Sequence, residues 1–280
     1  MRKLALSDEI LLKVDKAARY IGGEVNSVMK DKNEVEIRFA MCFPDVYEIG
    51  MSNLGMMILY NMFNQREDVW CERLFSPWPD LDKVMREQNI PLFALESQEP
   101  IRDFDFLGIT LGYEMCYTNI LQVLDLSGIP LKSADRGEDF PIVIGGGACA
   151  YNPEPLAPFF DMFYIGEGET VYDALFDAYK ANKKAGGSRR DFLLAAAKIP
   201  GIYVPSLYEV TYKEDGTIAS FAPAADGVPE KVQKQLIIDM EKEYRAVEAP
   251  VVPHIKATQD RVTLEIQRGC IRAVVSARQV

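Results

Sequence analysis

Apolar strand-like segments alternate with amphipathic helical segments along most of the chain, and this alternation constrains the fold more than any other feature. Hydrophobic runs predict strands at 36–43, 92–95, 105–111, 141–145 and 161–165. Helical periodicity and end signals predict helices at 8–20, 52–64, 79–89, 119–126 and 170–182. Such alternation is typical of a parallel sheet with helices on both faces. We therefore predict a doubly wound α/β domain.

The chain divides into four predicted regions. A helical extension occupies residues 1–35, and the doubly wound domain occupies 36–200. A small β-hairpin with Asp215 and Gly216 at its turn, together with a linker rich in proline and charge, occupies 201–260. Residues 261–280 open with a predicted strand at 262–268, which has no partner strand in the sequence that follows. That orphan strand is a candidate for self-association.

Composition excludes several classes of protein. The net charge of −11 argues against sequence-independent binding to nucleic acid, which needs a positive surface. No apolar run approaches the roughly 18 residues of a membrane span, and early acidic residues argue against a signal peptide. The 5 cysteines are odd in number and irregularly spaced, which favours reduced thiols. We expect a cytoplasmic protein that binds a small molecule and neither nucleic acid nor a membrane.

Four predicted strands end in unusual loops, at residues 44–50, 112–119, 145–155 and 166–170. The carboxyl ends of parallel strands share one edge of the sheet, where ligands of such folds bind. Glycines at these ends allow a ligand to approach the backbone, and the following helix starts offer amide donors. Taken singly, each loop is equally explained by a tight turn or a helix cap. Four together favour a binding cleft.

One of these loops partly fits a dinucleotide-binding fingerprint, Gly145-x-Gly147-x-x-Ala150. The fingerprint belongs after the first strand and should open a helix. Here the segment Asn-Pro-Glu-Pro that ends at Pro155 prevents an immediate helix. The pattern is therefore weak support for a nicotinamide or flavin dinucleotide.

A second motif, Asp45-x-Tyr47-x-x-Gly50, resembles the Asp-x-His-x-x-Gly motif of cobalamin-binding domains. Tyrosine stands where the cobalt-ligating histidine of those domains would be. The only histidine of the chain is His254, in the predicted linker. Paired glycines at Gly145 and Gly146 match a later glycine motif of the same domains. The resemblance implies cobalamin binding without a histidine ligand.

Cys270 follows the predicted strand 262–268 and is either a small buried residue or a metal ligand. If one base is added ahead of codon 273, the reading frame shifts and the following codons can read Gly-Cys-Arg-Phe-Cys. Together with Cys270, this shifted sequence forms the pattern Cys-x-x-x-Cys-x-x-Cys. Three thiolates at this spacing hold three irons of a four-iron cluster and leave the fourth open. The pattern resembles the radical S-adenosylmethionine superfamily. We therefore expect a frameshift after Arg272 and no cluster on this chain, which the encoding DNA would decide.

Longer stretches resemble one family, the radical S-adenosylmethionine proteins with a cobalamin-binding domain and an uncharacterised substrate. The stretches lie at 18–24, 43–55, 77–80, 117–121, 152–156, 166–169 and 267–272. The resemblance implies a Rossmann-like or flavodoxin-like domain of cobalamin-binding type, followed by the truncated start of a radical S-adenosylmethionine barrel. It also implies that an intact member carries a 4Fe-4S cluster and cleaves S-adenosylmethionine, with cobalamin nearby.

The resemblance and the loops together predict the functional residues. Cys270 is the candidate metal ligand. The candidate cofactor-binding residues are Asp45, Tyr47, Gly50, Ser52, Thr110, Tyr113, Glu114, Gly145, Gly146, Gly147, Glu154, Gly166, Glu167 and Gly168. The predicted function is the cofactor-binding portion of a radical enzyme, inactive as this chain alone. Two alternatives stay open: a flavodoxin-like module for a nucleotide or flavin, and an interaction domain without a ligand.

Overall fold

A six-stranded sheet forms the centre of the protein. The computed structural model describes residues 3–243, 246–261, 263 and 265–268. The strands of the sheet are β1 (Ile37–Phe43), β2 (Val69–Phe75), β3 (Phe106–Thr110), β4 (Ile142–Gly146), β5 (Met162–Tyr164) and β6 (Ile202–Tyr203). Their order across the sheet is β2-β1-β3-β4-β5-β6. β1 to β5 run parallel, and β6 pairs antiparallel with β5. The predicted parallel packing of the strands near 36–43, 105–111, 141–145 and 161–165 is confirmed.

Helices cover both faces of the sheet, as the sequence predicts. They are α1 (Asp8–Leu11), α2 (Tyr47–Gly50), α3 (Leu54–Asn64), α4 (Pro79–Gln88), α5 (Tyr117–Leu126), α6 (Tyr172–Lys184), α7 (Arg189–Ala196) and α8 (Met240–Glu243). On one face Phe39 of β1 packs with Phe63 of α3 and Phe176 of α6. On the other face Cys42 lies in a cluster with residues of α4 and α5. Side chains of one strand thus alternate between two cores.

Strand β2 was not predicted from the sequence, because two charged residues in its middle interrupt the apolar pattern. Glu72 and Arg73 are both buried, with exposed side-chain fractions of 0% and 3%. Arg38 of β1 donates to Glu72 at 2.6 Å, and Arg73 donates to Glu24 at 2.7 Å. Each buried charge therefore has an opposite partner, as burial in a protein interior requires.

Two predicted elements differ in the structure. The predicted helix at 8–20 is wrong: α1 has four residues, and a 3-10 turn follows at Ala17–Arg19. Lys16 adopts a left-handed conformation with φ of 51°, which interrupts helical continuation. The predicted strand at 92–95 is also wrong, because this segment turns back on itself and Ala94 N donates to Glu99 O at 3.1 Å.

The hairpin is present as β7 (Tyr208–Tyr212) and β8 (Ile218–Pro223), which pair antiparallel. Gly216 takes a φ of 79° at its turn, which suits glycine. Beyond it, a segment that we call the strap, residues 246–259, lies against the amino-terminal part of the chain. His254 Nε2 lies 3.1 Å from Gly22 O, and Thr258 N donates to Glu48 O at 3.1 Å.

The strap leads to the end of the described chain. Within the predicted strand at 262–268, residues 263 and 265–268 form no strand, whereas Val262 and Leu264 lie outside the described residues. Cys270 also lies outside them, so its role as a cluster ligand stays a prediction. In the described part of the chain, no helix has the length and apolar character needed to cross a membrane.

Candidate functional site

A cavity of about 430 Å³ lies at the carboxyl ends of β3, β4 and β5. Residues of the first turns of α3 form one side, and the strand ends form another. Its volume is in the range of small-molecule sites, and carboxyl ends of parallel strands are where such folds bind ligands. Lining residues include Asn53, Gly55, Leu59, Thr110, Gly146, Gly147, Tyr164, Gly168 and Tyr172.

Gly146 leaves part of this cavity open. A Cβ built on Gly146 would meet no atom closer than 4.0 Å, the distance to Tyr164 O and to Tyr172 Oη. Its φ is not positive, so the backbone would accept a side chain. Neither crowding within the protein nor backbone conformation requires glycine here. A side chain at this position would instead fill space that a ligand can occupy.

Gly147 is glycine for a different reason. Its φ is 113°, and a Cβ would lie 2.9 Å from Leu111 O. Only glycine fits this turn at the end of β4 without strain. The turn brings the backbone of residue 147 to the cavity wall, where it also meets the loop after β3.

One wall of the cavity carries a charged cluster that we call the charged wall, made of Glu167, Glu169, Glu265 and Arg268. Arg268 donates to Glu265 at 2.8 Å and to Glu169 at 2.5 Å. Its guanidinium also lies 3.7 Å from Glu167 Oε2. The hydrogen bonds that Arg268 donates to Glu265 and Glu169 raise the pKa of Arg268. Three carboxylates face one guanidinium, which leaves the charged wall net negative.

Asp45 and Tyr113 join the loops that follow β1 and β3. The Tyr113 hydroxyl donates to Asp45 Oδ2, and Asp45 Oδ1 accepts from Val46 N at 2.7 Å. Partial burial and this hydrogen bond raise the pKa of Tyr113. β1 and β3 are neighbours in the sheet, but β2 follows β1 on one side and β4 follows β3 on the other. The contact between Asp45 and Tyr113 therefore lies at the point where the strand order reverses.

Tyr47 lies away from the cavity. Its ring packs edge-on against Phe75 at 5.3 Å, and its hydroxyl donates to Glu24 Oε1 at 2.9 Å. Burial and the Glu24 carboxylate raise the pKa of Tyr47. Tyr47 does not line the cavity, and its role toward a cofactor stays a prediction. The position of the side chain has a physical reason: buried Glu24 needs polar partners, and Tyr47 supplies one of them.

The neighbours of Tyr47 in its motif also have structural contacts. A Cβ on Gly50 would lie 2.2 Å from the Phe75 ring, so close packing requires glycine there. Ser52 Oγ donates to Glu48 O at 2.8 Å and accepts from Gln259 N at 2.9 Å. Tyr47, which accepts from His254 N at 3.3 Å, and Ser52 therefore hold the strap, whereas Asp45 contacts the loop after β3 at the carboxyl edge.

The remaining predicted residues divide between the cavity and its surroundings. Thr110, Gly146, Gly147, Gly166, Glu167 and Gly168 line the cavity. A Cβ built on Gly145 would lie within 3.0 Å of core side chains. Glu114 is exposed on a 3-10 turn, and Glu154 accepts from Tyr203 Oη at 2.6 Å. Whether any of these residues binds a cofactor stays a prediction.

Sequence reasoning missed two parts of the cavity. The first is the start of α3, where Asn53 caps the helix and Gly55 lines the cavity. The cap signal was present, but only the three-dimensional fold shows that this helix start faces the strand ends. The second is Arg268, which reaches Glu169 across 99 positions of sequence. No local pattern could reveal that pairing.

Cysteine and histidine side chains form no metal centre in the described residues. Cys42, Cys71, Cys116 and Cys149 are free thiols there. No group of three or more histidine, cysteine, aspartate or glutamate side chains in that part of the chain is placed to hold a metal ion. His254 is held at the strap and does not line the cavity.

The fold and the cavity define a parallel α/β protein with a pocket at the carboxyl edge of its sheet. Residues 55–205, just over half of the 280 residues, match the family described as "Radical SAM proteins, N-terminal". The chain belongs to this family. The matched segment begins in α3 and ends after β6, so it contains most of the residues that line the cavity.

The chain is also similar to an archaeal protein. The chain is 28% identical over 131 residues to an uncharacterized protein of Methanocaldococcus jannaschii. The alignment covers 46% of this chain and 24% of that protein, so the chain spans about a quarter of the length of this relative. No solved structure shows a significant match.

Proposed function

We propose that this chain is the cofactor-binding portion of a radical S-adenosylmethionine protein and that its cavity receives the nucleotide of cobalamin. The open space beside Gly146 carries this proposal, because neither packing nor backbone conformation explains glycine there. Membership in the radical S-adenosylmethionine family supports the enzyme class. Intact members of that family use S-adenosylmethionine and a 4Fe-4S cluster, for which Cys270 is the candidate ligand in this chain.

The residues of the cavity fit the nucleotide end of cobalamin better than its corrin ring. At about 430 Å³ the cavity suits one flat base with its sugar, whereas the whole cofactor is larger. Apolar atoms of Leu59 and Tyr172, together with the glycine backbone at 146, would bury the base. Thr110 offers a hydroxyl group for the sugar. The start of α3 adds backbone amide groups.

The protein residues would bind and orient the cofactor and exclude water from its nucleotide. Cobalamin itself supplies the methyl-transfer or radical chemistry when it is bound. His254 is the only histidine in the chain and is held by the strap. We therefore propose that cobalt receives no histidine ligand from this protein.

A cavity-filling variant tests the proposal. Gly146→Val should weaken the binding of hydroxocobalamin at least about tenfold, because the new side chain enters the proposed nucleotide site. Gly137→Val is a matched control, since a Cβ at Gly137 meets nothing within 4 Å and the residue lies outside the cavity. Absorbance titration reports both affinity and cobalt ligation. Equal affinity of both variants and the parent protein, or a histidine-ligated spectrum, would contradict the proposal.

A flavin nucleotide is the second candidate, and the strand order favours it. The order β2-β1-β3-β4-β5 is that of flavodoxin-like folds, which bind flavin mononucleotide at the β1/β3 switch point. The net negative charged wall opposes a dianionic phosphate in the cavity. Titration with flavin mononucleotide under the same conditions separates the two candidates: tight flavin binding without cobalamin binding would favour the second.

A further inference from the structure

A second cavity, of about 260 Å³, lies between the loop after β4 and the β7–β8 hairpin. We call it the aromatic pocket. Among the described residues it shares no lining residue with the larger cavity, so it is a separate site. Aromatic and acidic side chains dominate its wall: Tyr151, Glu154, Tyr203, Tyr208, Phe221 and Glu230.

Three aromatic rings form a continuous surface in this pocket. Tyr203 and Tyr208 have ring centroids 5.1 Å apart, and Tyr208 stacks on Phe221 at 5.2 Å. The hydroxyl groups of both tyrosines are already engaged, with Glu154 Oε1 at 2.6 Å and with Pro229 O at 2.7 Å. What these residues can offer a ligand is therefore chiefly their rings, whose faces carry partial negative charge.

Two carboxylates add negative charge to the aromatic surface. Glu154 is held beside Tyr203 by the hydrogen bond, and Glu230 lines the same pocket from the segment after the hairpin. Both residues are exposed, so a ligand can reach them from solvent. An aromatic surface flanked by carboxylates attracts cations and repels anions.

A cation of the protein already lies over a further aromatic ring of the pocket, that of Tyr151. Lys234 Nζ lies 4.7 Å from the centroid of the Tyr151 ring, in the range of a cation–π interaction. Tyr151 is half exposed, at 53%, so this contact is open to competition. The pocket therefore has an internal cation at its edge.

We infer that the aromatic pocket binds a small organic ammonium ion, with its charge near Glu154 and Glu230 and its alkyl groups against the rings. The ring surface supplies apolar and cation–π contact, and the carboxylates supply the opposite charge. This inference does not depend on whether the larger cavity binds cobalamin.

Choline and its uncharged isostere 3,3-dimethyl-1-butanol test this inference by calorimetry or saturation-transfer NMR. Choline should bind roughly five- to thirtyfold more tightly than the alcohol, as the cation–π range implies. Tyr208→Leu and Glu230→Gln should each weaken choline binding several-fold. Lys234→Met should strengthen it, because the internal competitor is removed. Tyr212→Leu is the matched control on the same hairpin, since Tyr212 is 65% exposed and outside the pocket.

Several results would overturn the inference. Equal affinity for choline and the alcohol would show that charge plays no part. Unchanged choline binding in both Tyr208→Leu and Glu230→Gln would place any binding elsewhere. No choline binding to the parent protein or to Lys234→Met would remove the site altogether. Glu230 is exposed, so Glu230→Gln should fold even if Tyr208→Leu does not.

Discussion

Arg73 Nη2 donates to Glu24 Oε2 at 2.7 Å, and both side chains are buried, with exposed fractions of 3% and 0%. Arg73 Nε also donates to Glu96 at 2.6 Å. This guanidinium thus joins strand β2 to two carboxylates from distant parts of the chain. Because Tyr47 donates to the same Glu24, the Asp-x-Tyr-x-x-Gly motif is tied to the buried ionic network.

Arg73→Met should destabilise the protein by about 3–5 kcal/mol, because it removes the buried guanidinium that hydrogen-bonds to Glu24 and Glu96. Urea unfolding followed by circular dichroism measures the change. Arg86→Met is the control: Arg86 is 47% exposed and pairs with Asp82 and Asp125 at the surface, so its loss should change the free energy of unfolding by about 1 kcal/mol or less. Similar losses in both variants would contradict this account of the network.

Glu48 should make stability depend on pH between about 5 and 2. Burial alone would raise the pKa of Glu48, but hydrogen bonds from Arg19 and Lys16 outweigh it and lower the pKa from 4.5 to about 2. Between these two pKa values Glu48 is protonated in the unfolded chain and ionised in the folded chain. The stability that ionised Glu48 contributes is therefore lost as the pH falls through this range.

Glu48→Gln removes that contribution. The difference in free energy of unfolding between the parent protein and Glu48→Gln should be largest near pH 7 and shrink toward pH 2. Glu9→Gln is the control, since the Glu9 side chain is 80% exposed, and its difference should stay small throughout. A Glu48→Gln difference that is constant from pH 7 to pH 2.5 would argue against the lowered pKa.

Gly108 should tolerate no side chain, because a Cβ there would lie 2.4 Å from the Phe39 ring. Gly108→Ala should therefore destabilise the protein by about 1–3 kcal/mol through overpacking. Gly112→Ala is a matched control, since a Cβ at Gly112 meets nothing within 4 Å. Thermal unfolding compares the two, and equal melting temperatures would show that Phe39 moves aside freely.

Arg268 should hold residues 265–268 against the loop after β5. Arg268→Ala removes its contacts with Glu169 and Glu167, so amide hydrogen exchange in a peptide containing 265–268 should become faster. The exchanged pair Arg268→Glu with Glu169→Arg should restore part of the protection. Arg261→Ala is the control, because Arg261 is exposed. If the peptide exchanges at one rate in all four proteins, the charged wall does not hold this segment.

The sequence predicted the parallel strands well because β3, β4 and β5 lie in apolar runs, and β1 becomes continuously apolar after Arg38. β2 was missed because Glu72 and Arg73 interrupt its apolar pattern, and their partners lie far away in sequence. The same limit applies to the cavity. Glycine-rich strand ends indicated its position, but the start of α3 and Arg268 join it only through the tertiary fold.

Tyr47 shows that a local motif does not fix where its side chains lie. The spacing from Asp45 to Gly50 suggested that its side chain faces a cofactor. The carboxylate of Glu24, more than twenty positions earlier, instead draws the hydroxyl into the core. A buried carboxylate needs donors, and that requirement cannot be seen from the motif alone.

The affinity ratio of cobalamin to cobinamide, which lacks the nucleotide, tests the central claim most directly. If the cavity beside Gly146 receives the nucleotide, cobalamin should bind at least roughly 100-fold more tightly than cobinamide, a difference of about 2.7 kcal/mol. In Gly146→Val the two affinities should become similar, whereas Gly137→Val should keep the ratio. Equal affinities of the parent protein for both compounds, or no binding of either, would contradict the account.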